Sequence, residues 1–137
     1  MTQSLSDLSD QILQAAKRAG ADAADAIAVD GTSLSITVRE GALEQAERSE
    51  GIDIGLRVFV GQRQACVSSS DTKPHTLTQM AERAVAMAKE APEDPHAGLA
   101  NPSQLTTNTA TEALELFDPS EEPDPAALQE DATRAEA

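Results

Sequence analysis

The sequence describes a small, acidic protein that is almost free of aromatic residues. It has 137 residues, a formal net charge of −14, two Phe and no Trp or Tyr. This length suits one domain, whose core must be built from aliphatic side chains. The excess of acidic residues argues against direct binding to nucleic acids or to anionic membranes, because both interactions depend on Lys and Arg.

Cysteine usage and hydropathy narrow the class of protein further. Cys66 is the only cysteine, so an internal disulfide is excluded. The first residues carry neither the basic segment nor the apolar segment of a secretory signal, and no apolar run approaches the roughly 20 residues of a membrane span. We therefore expect a cytoplasmic protein.

The first predicted element is an amphipathic helix near the start of the chain. Ser4 or Ser6 is suited to cap its beginning, and Gly20 is suited to the left-handed position after its end. Its apolar positions recur at three- and four-residue spacing, as Leu5, Leu8, Ile12, Ala16 and Ala19.

Five strands are predicted next, at residues 24–29, 34–39, 43–50, 52–60 and 63–69. Turn signals separate them at Asp30-Gly31, Glu40-Gly41, Gly51 and Gly61-Gln62. Residues 43–50 also have good helix propensity, and we assign them to a strand from their context. The strongest pattern alternates Ile52, Ile54, Leu56, Val58 and Val60 on one face with Asp53, Gly55, Arg57 and Phe59 on the other.

A second amphipathic helix is predicted to begin at about Pro74 and to end before Pro92. The predicted fold class is therefore α+β, in the order α-β-β-β-β-β-α. Two helices cover one face of an antiparallel five-stranded meander, which gives a two-layer sandwich within residues 1–91.

Residues 92–137 have a different composition. From residue 91 onward the chain carries 11 acidic residues and one basic residue, Arg134, and it contains most of the prolines. This composition predicts an extended or mobile acidic arm, with a short helix from about Pro125. The sequence stops inside that helical pattern, so we expect a fragment of a longer protein, cut before a C-terminal domain.

No residue pattern identifies an active site. His75 and His96 lack partners at metal-ligand spacing. Cys66 has no histidine near it in sequence, and we expect a small buried core residue. Cross-strand ion pairs account for the sheet residues Arg39, Arg48, Arg57, Arg63, Glu44, Glu47 and Glu50.

The segment Ser68-Ser69-Ser70-Asp71 lies between the last strand and the second helix and leaves two interpretations open. Its hydroxyl and carboxylate groups either cap the helix or bind a ligand. We retain both interpretations from the residues alone.

Several short motifs resemble the N-terminal domain of the TldD/PmbA family, also described as modulators of DNA gyrase. In chain order they are Ala21-Asp22-Ala23-Ala24-Asp25, Val38-Arg39-Glu40-Gly41 with Leu43-Glu44, Ser49-Glu50 with Gly51 and Gly55, Arg57-Val58-Phe59-Val60-Gly61, Gln64-Ala65 with Val67-Ser68-Ser69-Ser70-Asp71, Ala91-Pro92-Glu93-Asp94-Pro95 and Leu116-Phe117-Asp118-Pro119-Ser120. The amino-acid sequences of the fourth and fifth motifs are closer to those of the PmbA branch, also called TldE.

The resemblance implies a cytoplasmic protein roughly three times this long. In such proteins the TldD subunit carries a zinc-binding His-Glu-x-x-x-His helix in its C-terminal part. The TldE subunit lacks these ligands, and the pair degrades or trims unfolded peptides, including a peptide antibiotic precursor and an antitoxin. No residue of this chain matches a metal ligand, so the resemblance implies no cofactor here and zinc only in the partner subunit.

Two functional hypotheses follow. In the first, the chain is a non-catalytic domain of a metalloprotease subunit that holds extended peptide, with a TldD-like subunit and unfolded peptides as partners. In the second, it is a regulatory module that binds DNA gyrase or another protein through its acidic arm. The candidate peptide or interface contacts are Arg57, Arg63, Ser68, Ser69, Ser70 and Asp71.

Overall fold

A computed structural model describes residues 4–116 and 118–137; Phe117, which belongs to one of the motifs above, lies outside them. The elements are α1 (Leu5–Ala19), β1 (Ala23–Arg39), β2 (Ala42–Val60), β3 (Arg63–Ser69), α2 (Pro74–Glu90) and α3 (Pro125–Glu136). Two short 3-10 turns, Pro102–Gln104 and Glu112–Leu114, lie between α2 and α3. The α+β class is confirmed, and the short helix predicted from Pro125 is α3.

The prediction of five strands, and with it the predicted order, is wrong: the described residues form one sheet of three longer strands. β1 continues through Asp30-Gly31, and β2 continues through Gly51. Neither glycine has the positive φ that a tight turn needs, so both remain in extended backbone. The residues 43–50 are strand, as their context predicted.

The strands follow one another in the order β1-β2-β3 and are joined by two-residue turns. In the first turn Glu40 and Gly41 both have positive φ, of 53° and 74°. In the second turn Gly61 has a φ of 58°. Both are predicted turns, and a left-handed residue there matches the twist of the strands that it joins.

Helices α1 and α2 begin at the residues that their sequences predict, and α1 also ends at the predicted glycine. Ser4 caps α1, since its hydroxyl accepts a hydrogen bond from the Asp7 backbone N–H at 3.1 Å and the Asp7 carboxylate accepts one from the Ser4 backbone N–H at 3.3 Å. Gly20 ends the helix with a φ of 99°. α2 begins at Pro74, whose fixed φ suits the first helical position.

The hydrophobic core lies between the two helices and one face of the sheet. The alternation predicted for β2 is confirmed, because Ile54, Leu56 and Val58 are at most 2% exposed. The sequence of α2 predicts a buried stripe of Leu77, Met80, Ala81, Ala84, Met87 and Ala88; the structure differs slightly from it, since Val85 is buried and Met87 is 43% exposed. The helices contribute Leu8, Ile12, Ala15, Ala16, Leu77, Met80, Ala81, Ala84, Val85 and Ala88 to this core.

The chain divides into two compact units. The first comprises the described residues of Met1–Gly31 together with Gly51–Asn101, and it contains the core. The second comprises Thr32–Glu50 and Pro102–Ala137. Within the second unit, the Glu136 carboxylate accepts hydrogen bonds from the backbone N–H groups of Glu40 and Gly41 at 2.7 and 2.9 Å. This contact joins α3 to the turn between β1 and β2.

A search of the described residues for a helix of bilayer-spanning length and hydropathy finds none.

Candidate functional site

The candidate site lies in the first unit, on the sheet face opposite the helices. We call it the open face; it carries Asp25 and Ile27 of β1, Arg57 of β2, and Cys66 and Ser68 of β3. Ile27 is 64% exposed, whereas its chain neighbours Ala26 and Ala28 face the other side of the sheet and pack against the core. Ile27 therefore adds exposed apolar surface to a face that otherwise carries mainly polar side chains.

A groove of about 600 Å³ crosses the open face above Gly55. Gly55 lies opposite Ser68 in the pairing of β2 with β3. Because Gly55 has no side chain, the groove reaches the backbone of β2 there. A Cβ atom added at this position would lie 3.1 Å from Cγ2 of Ile27, so the width of the groove depends on this glycine. Its lining residues are Asp25, Ala26, Ile27, Gly55, Leu56, Arg57, Cys66, Val67 and Ser68.

One end of the groove is formed by an ion pair. The Arg57 guanidinium donates from Nε to the Asp25 carboxylate at 2.9 Å, and Nη2 donates to the other oxygen. This two-point contact lowers the pKa of Asp25 through the hydrogen bond from Arg57 and raises the pKa of Arg57. The guanidinium also lies 5.1 Å from the ring centroid of Phe59, which holds it further in place.

Cys66 lines the groove and is exposed, so the expectation of a buried core cysteine is wrong. Its neighbours Ala65 and Val67 pack against the core. Because side chains alternate along a strand, Cys66 takes the open face, opposite Arg57 on β2.

The strand β3 forms one edge of the sheet. Val60 and Arg63 flank a two-residue turn, so the backbone groups of these two residues are hydrogen-bonded to each other. From that pair onward, hydrogen-bonded and non-hydrogen-bonded pairs alternate along β2 and β3. The N–H and C=O groups of Gln64, Cys66 and Ser68 therefore point away from β2. Within the described part of the chain, none of these residues makes a backbone hydrogen bond to a loop, turn or cap. We call this row of groups the β3 edge.

Of the six predicted contact residues, Arg57 and Ser68 lie at the groove. Arg63 lies at the turn end of β3, where its Nη1 donates to the backbone carbonyl of Lys89 at 2.6 Å. Its Nη2 lies 3.5 Å from a carboxylate oxygen of Glu93. Arg63 therefore holds the last turn of α2, where carbonyl groups lack helical partners.

The other three residues connect β3 to α2. The Asp71 carboxylate accepts from the backbone N–H of Lys73 at 3.1 Å and from the Thr76 hydroxyl at 2.9 Å, and these bonds lower the pKa of Asp71. The Ser69 hydroxyl accepts from the backbone N–H of Asp71 at 3.0 Å. Ser70 is exposed in the bend between them. Ser69 and Asp71 thus order the connection that leads into α2, although the N-cap residue of this helix, Lys73, makes no side-chain capping hydrogen bond.

Sequence reasoning missed the β1 half of the site, which Asp25 and Ile27 provide. It placed Gly55 and Arg57 together on one face of β2, and a glycine inside a strand often marks a close approach of another group. That signal points to the groove once the pairing with β3 is known, but the partner strand β1 carries no comparable signal.

The predicted cross-strand ion pairs are present in part. Arg39 lies 3.2 Å from Glu44 across the first turn. Arg48 contacts Glu50 on its own strand at 2.7 Å and Glu122 at 3.1 Å, and the hydrogen bonds to these two carboxylates raise its pKa. Arg57 and Arg63 instead pair with acidic residues outside the predicted set, as described above.

Comparison with known proteins gives a consistent result. Residues 24–88 match the family described as PmbA/TldA metallopeptidase domain 1. Metalloprotease PmbA of Escherichia coli O157:H7 is 31% identical over 100 residues, which cover 73% of this chain and 22% of that protein. The chain thus spans about a fifth of the length of this curated relative.

Two solved structures share the fold. One is a candidate modulator of DNA gyrase from Bacteroides thetaiotaomicron VPI-5482, with a TM-score of 0.68 and 15% identity over 80% of this chain and 25% of that one. The other is TldE from Thermococcus kodakarensis, with a TM-score of 0.66 and 16% identity over 93% of this chain and 28% of that one.

Proposed function

This chain belongs to the TldD/PmbA family, and from that premise we propose that it is the N-terminal, non-catalytic domain of a metalloprotease subunit acting on unfolded peptides in the cytoplasm. In this role it holds a peptide in extended conformation while a TldD-type subunit cleaves it. The observation that carries the proposal is the β3 edge beside the groove, within a domain of metallopeptidase type.

An extended peptide can add to an exposed strand by hydrogen bonds between main chains, which supply affinity without requiring a particular sequence. The outward groups of Gln64, Cys66 and Ser68 offer three residues with donors and acceptors at strand spacing. The open face lies beside them, so alternate side chains of an added strand would lie next to Cys66 and Ser68. This arrangement suits a substrate that is unfolded and varied in sequence.

We further propose that this is the TldE-like partner and that zinc belongs to the TldD-type subunit. The match to metalloprotease PmbA and the fold shared with TldE support the branch. Across residues 4–116 and 118–137, no three His, Cys, Asp or Glu side chains are grouped so that they could hold a metal ion. We therefore offer no residue of this chain as a zinc ligand.

A domain exchange tests the proposal. The chain is joined to the C-terminal part of a PmbA-type relative and mixed with a zinc-loaded TldD-type subunit, and release of peptides from carboxymethylated casein is measured. The chimera should support cleavage, and removal of residues 1–90 should abolish it because no domain then holds the substrate. The deletion variant must still bind the TldD-type subunit in size-exclusion chromatography. Unchanged cleavage after the deletion would contradict the proposal.

A regulatory module acting on DNA gyrase is the second candidate. The observation that favours it is the acidic segment from residue 91 onward, whose described carboxylate side chains are mostly exposed. Such a segment suits a basic protein surface, because opposite charges steer association. A pull-down of gyrase that weakens with salt and is lost on deletion of residues 92–137 would support this function. Capture that persists without those residues would reject this role for the acidic arm.

A further inference from the structure

We propose that α3 is a strap that keeps the segment Thr32–Glu50 ordered, and that the Glu136 carboxylate fastens this strap. We call Thr32–Glu50 the hairpin, and we call the contact of Glu136 with the turn between β1 and β2 the clasp. All of these residues belong to the second compact unit, which contains neither the groove nor the β3 edge. The inference therefore goes beyond the proposed function and is tested independently of it.

The hairpin has no hydrophobic core of its own. β3 pairs with β2 only from Ile54 to Val60, so the hairpin is two strands wide. Its half-buried residues are the alternate positions Leu34, Ile36 and Val38 of β1, and residues 42–50 are all exposed. A ribbon of two strands without a buried face is only marginally stable, so its order depends on what covers it.

One face of α3 is the counterpart of this half-buried strip. The half-buried residues of α3 recur at helical spacing and are Leu128, Gln129, Ala132 and Thr133. Every other described residue of 102–137 is exposed, so the strip on β1 and this face of α3 cover each other. Because no described residue of the second unit is fully buried, this contact removes little apolar surface from water and fastens the helix only weakly.

The clasp supplies the missing stability. Glu40 and Gly41 have positive φ, and their N–H groups lie in the turn, outside the hydrogen bonds that join the two strands. Both groups donate to the Glu136 carboxylate, one to each oxygen, at 2.7 and 2.9 Å. Hydrogen bonds to a charged acceptor are stronger than those between neutral groups. The clasp therefore fastens the end of α3 to the tip of the hairpin.

A second contact joins the chain before α3 to the hairpin, but it contributes less. Arg48 lies 3.1 Å from the carboxylate of Glu122 and 2.7 Å from that of Glu50. The side chains of Arg48 and Glu122 are each 47% exposed, and an ion pair so exposed adds little stability. If Glu122 moves away, Arg48 keeps Glu50 as its partner. The clasp, and not this ion pair, therefore decides whether the strap stays closed.

Opening of the clasp changes the hairpin in two ways at once. It uncovers the half-buried strip on β1, and it leaves the N–H groups of Glu40 and Gly41 without their carboxylate. A region with few buried contacts opens locally at little cost in free energy. The hairpin should therefore pass from ordered to open as one unit when Glu136 is released.

Amide hydrogen exchange of the full 137-residue chain tests the strap. Glu136→Ala should accelerate exchange across residues 32–39 and 42–50 at least about five-fold, because the whole hairpin opens with the clasp. Residues 54–60 should change less than about two-fold, because they belong to the other unit and its core. Glu136→Gln keeps one side-chain oxygen as an acceptor and should give an intermediate acceleration, which preserves the test if the Ala variant does not fold.

Glu130→Ala is the matched control. It removes the same side chain from an exposed position of the same helix, outside the clasp, so it should change the exchange of the hairpin less than about two-fold. Equal acceleration by Glu130→Ala and Glu136→Ala would overturn the role of Glu136.

Three other results would overturn the strap itself. Acceleration confined to Glu40 and Gly41 would show that the clasp is only a local contact. Acceleration that extends equally to residues 54–60 would show a general loss of stability. Hairpin amides that exchange in the unsubstituted chain as fast as those of an unfolded peptide would show that α3 holds nothing in order.

Discussion

The most decisive stability experiment is Leu56→Ala, compared with a variant on the opposite face of the sheet. Leu56 is 2% exposed and lies in the part of β2 that pairs with β3, where its side chain belongs to the core shared with both helices. Replacing it with Ala removes three carbon atoms from a site enclosed on all sides. The surrounding backbone is held by the pairing with β3, in which Leu56 lies opposite Val67, so collapse around the cavity is restricted.

We expect Leu56→Ala to lower the free energy of unfolding by about 3 kcal/mol, within the usual range for a buried Leu. This is a large share of the total stability of a domain, which is commonly 5–15 kcal/mol, and this core contains no Trp or Tyr. Urea unfolding is followed by far-UV circular dichroism, because tryptophan fluorescence is absent. If the two compact units unfold in separate steps, the decrease in the free energy of unfolding should appear in the step in which the circular dichroism signal of α1 and α2 is lost.

Ile27→Ala is the matched control from the open face. Ile27 is 64% exposed, so its truncation should cost less than about 1 kcal/mol, chiefly through lower strand propensity. A loss at Ile27 equal to that at Leu56 would refute the reasoning, since it would show that the open face is buried in the isolated chain. The groove would then be part of a packed interior and not a binding surface.

Three further predictions concern the ion pair and the first turn. Asp25→Asn should remove a stabilisation of less than about 1 kcal/mol, given the exposure of the pair with Arg57. Because the folded-state pKa of Asp25 is lowered, this difference between the wild type and the variant should be full above about pH 5 and should vanish as the pH falls through the lowered pKa, as measured by urea unfolding at several pH values. Gly41→Ala should cost about 1 kcal/mol because its φ is 74°, whereas Gly51→Ala at an ordinary φ should not destabilise comparably. Glu136→Gln should accelerate amide hydrogen exchange at Gly41, because a charged acceptor is replaced by a neutral one; unchanged exchange would show that the contact does not persist in solution.

The helices and the main core face were predictable because their signals are local. Leu8 and Ile12 recur at helical spacing and are buried, and Ser4 and Gly20 are residues whose capping roles follow from their chemistry. The same holds for the period of two in Ile54, Leu56 and Val58. Each pattern is long enough to distinguish the helical period of 3.6 residues from the strand period of two.

The number of strands was not predictable from local signals. Asp-Gly and Ser-Glu-Gly are sequences that favour turns, yet Gly31 and Gly51 have ordinary extended backbone and the strands continue through them. A glycine permits a turn without requiring one, so the outcome depends on what each strand pairs with. Glu40-Gly41 differs because both of its residues adopt positive φ, and it forms the turn that its sequence favours.

Of the residues that line the groove, the sequence pointed only to Arg57 of β2 and Ser68 of β3. The residues of β1 were missed, because the pairing of strands brings them to the groove and the sequence does not reveal that pairing. Arg57 was expected to pair with a glutamate on the sheet, and its partner is Asp25, 32 positions earlier in the chain. The buried position expected for Cys66 followed from the average behaviour of free cysteines, whereas the alternation of Ala65 and Val67 decides its face. Strand periodicity was the better guide to this residue than composition.

Several residues of the motifs that carry the family resemblance also make hydrogen bonds that hold the structure together. Within the first unit, Asp22 accepts a hydrogen bond from the backbone N–H of Gly61 at 2.7 Å, and Asp25 binds Arg57. The backbone N–H of Asp94 donates to the carbonyl of Gln62 at 2.8 Å.

These bonds join the Asp22 and Asp25 motif to the Arg57–Gly61 motif, and they join Asp94 of a third motif to Gln62, the residue that follows Gly61 in the turn between β2 and β3. They fix the position of that turn and of the strands that leave it, and the groove and the β3 edge lie on those strands. Asp94 therefore helps to fix this turn although it lies outside the predicted domain of residues 1–91. Changes in these motifs should alter the proposed peptide binding through the placement of β3, even where the changed residue is far from the β3 edge.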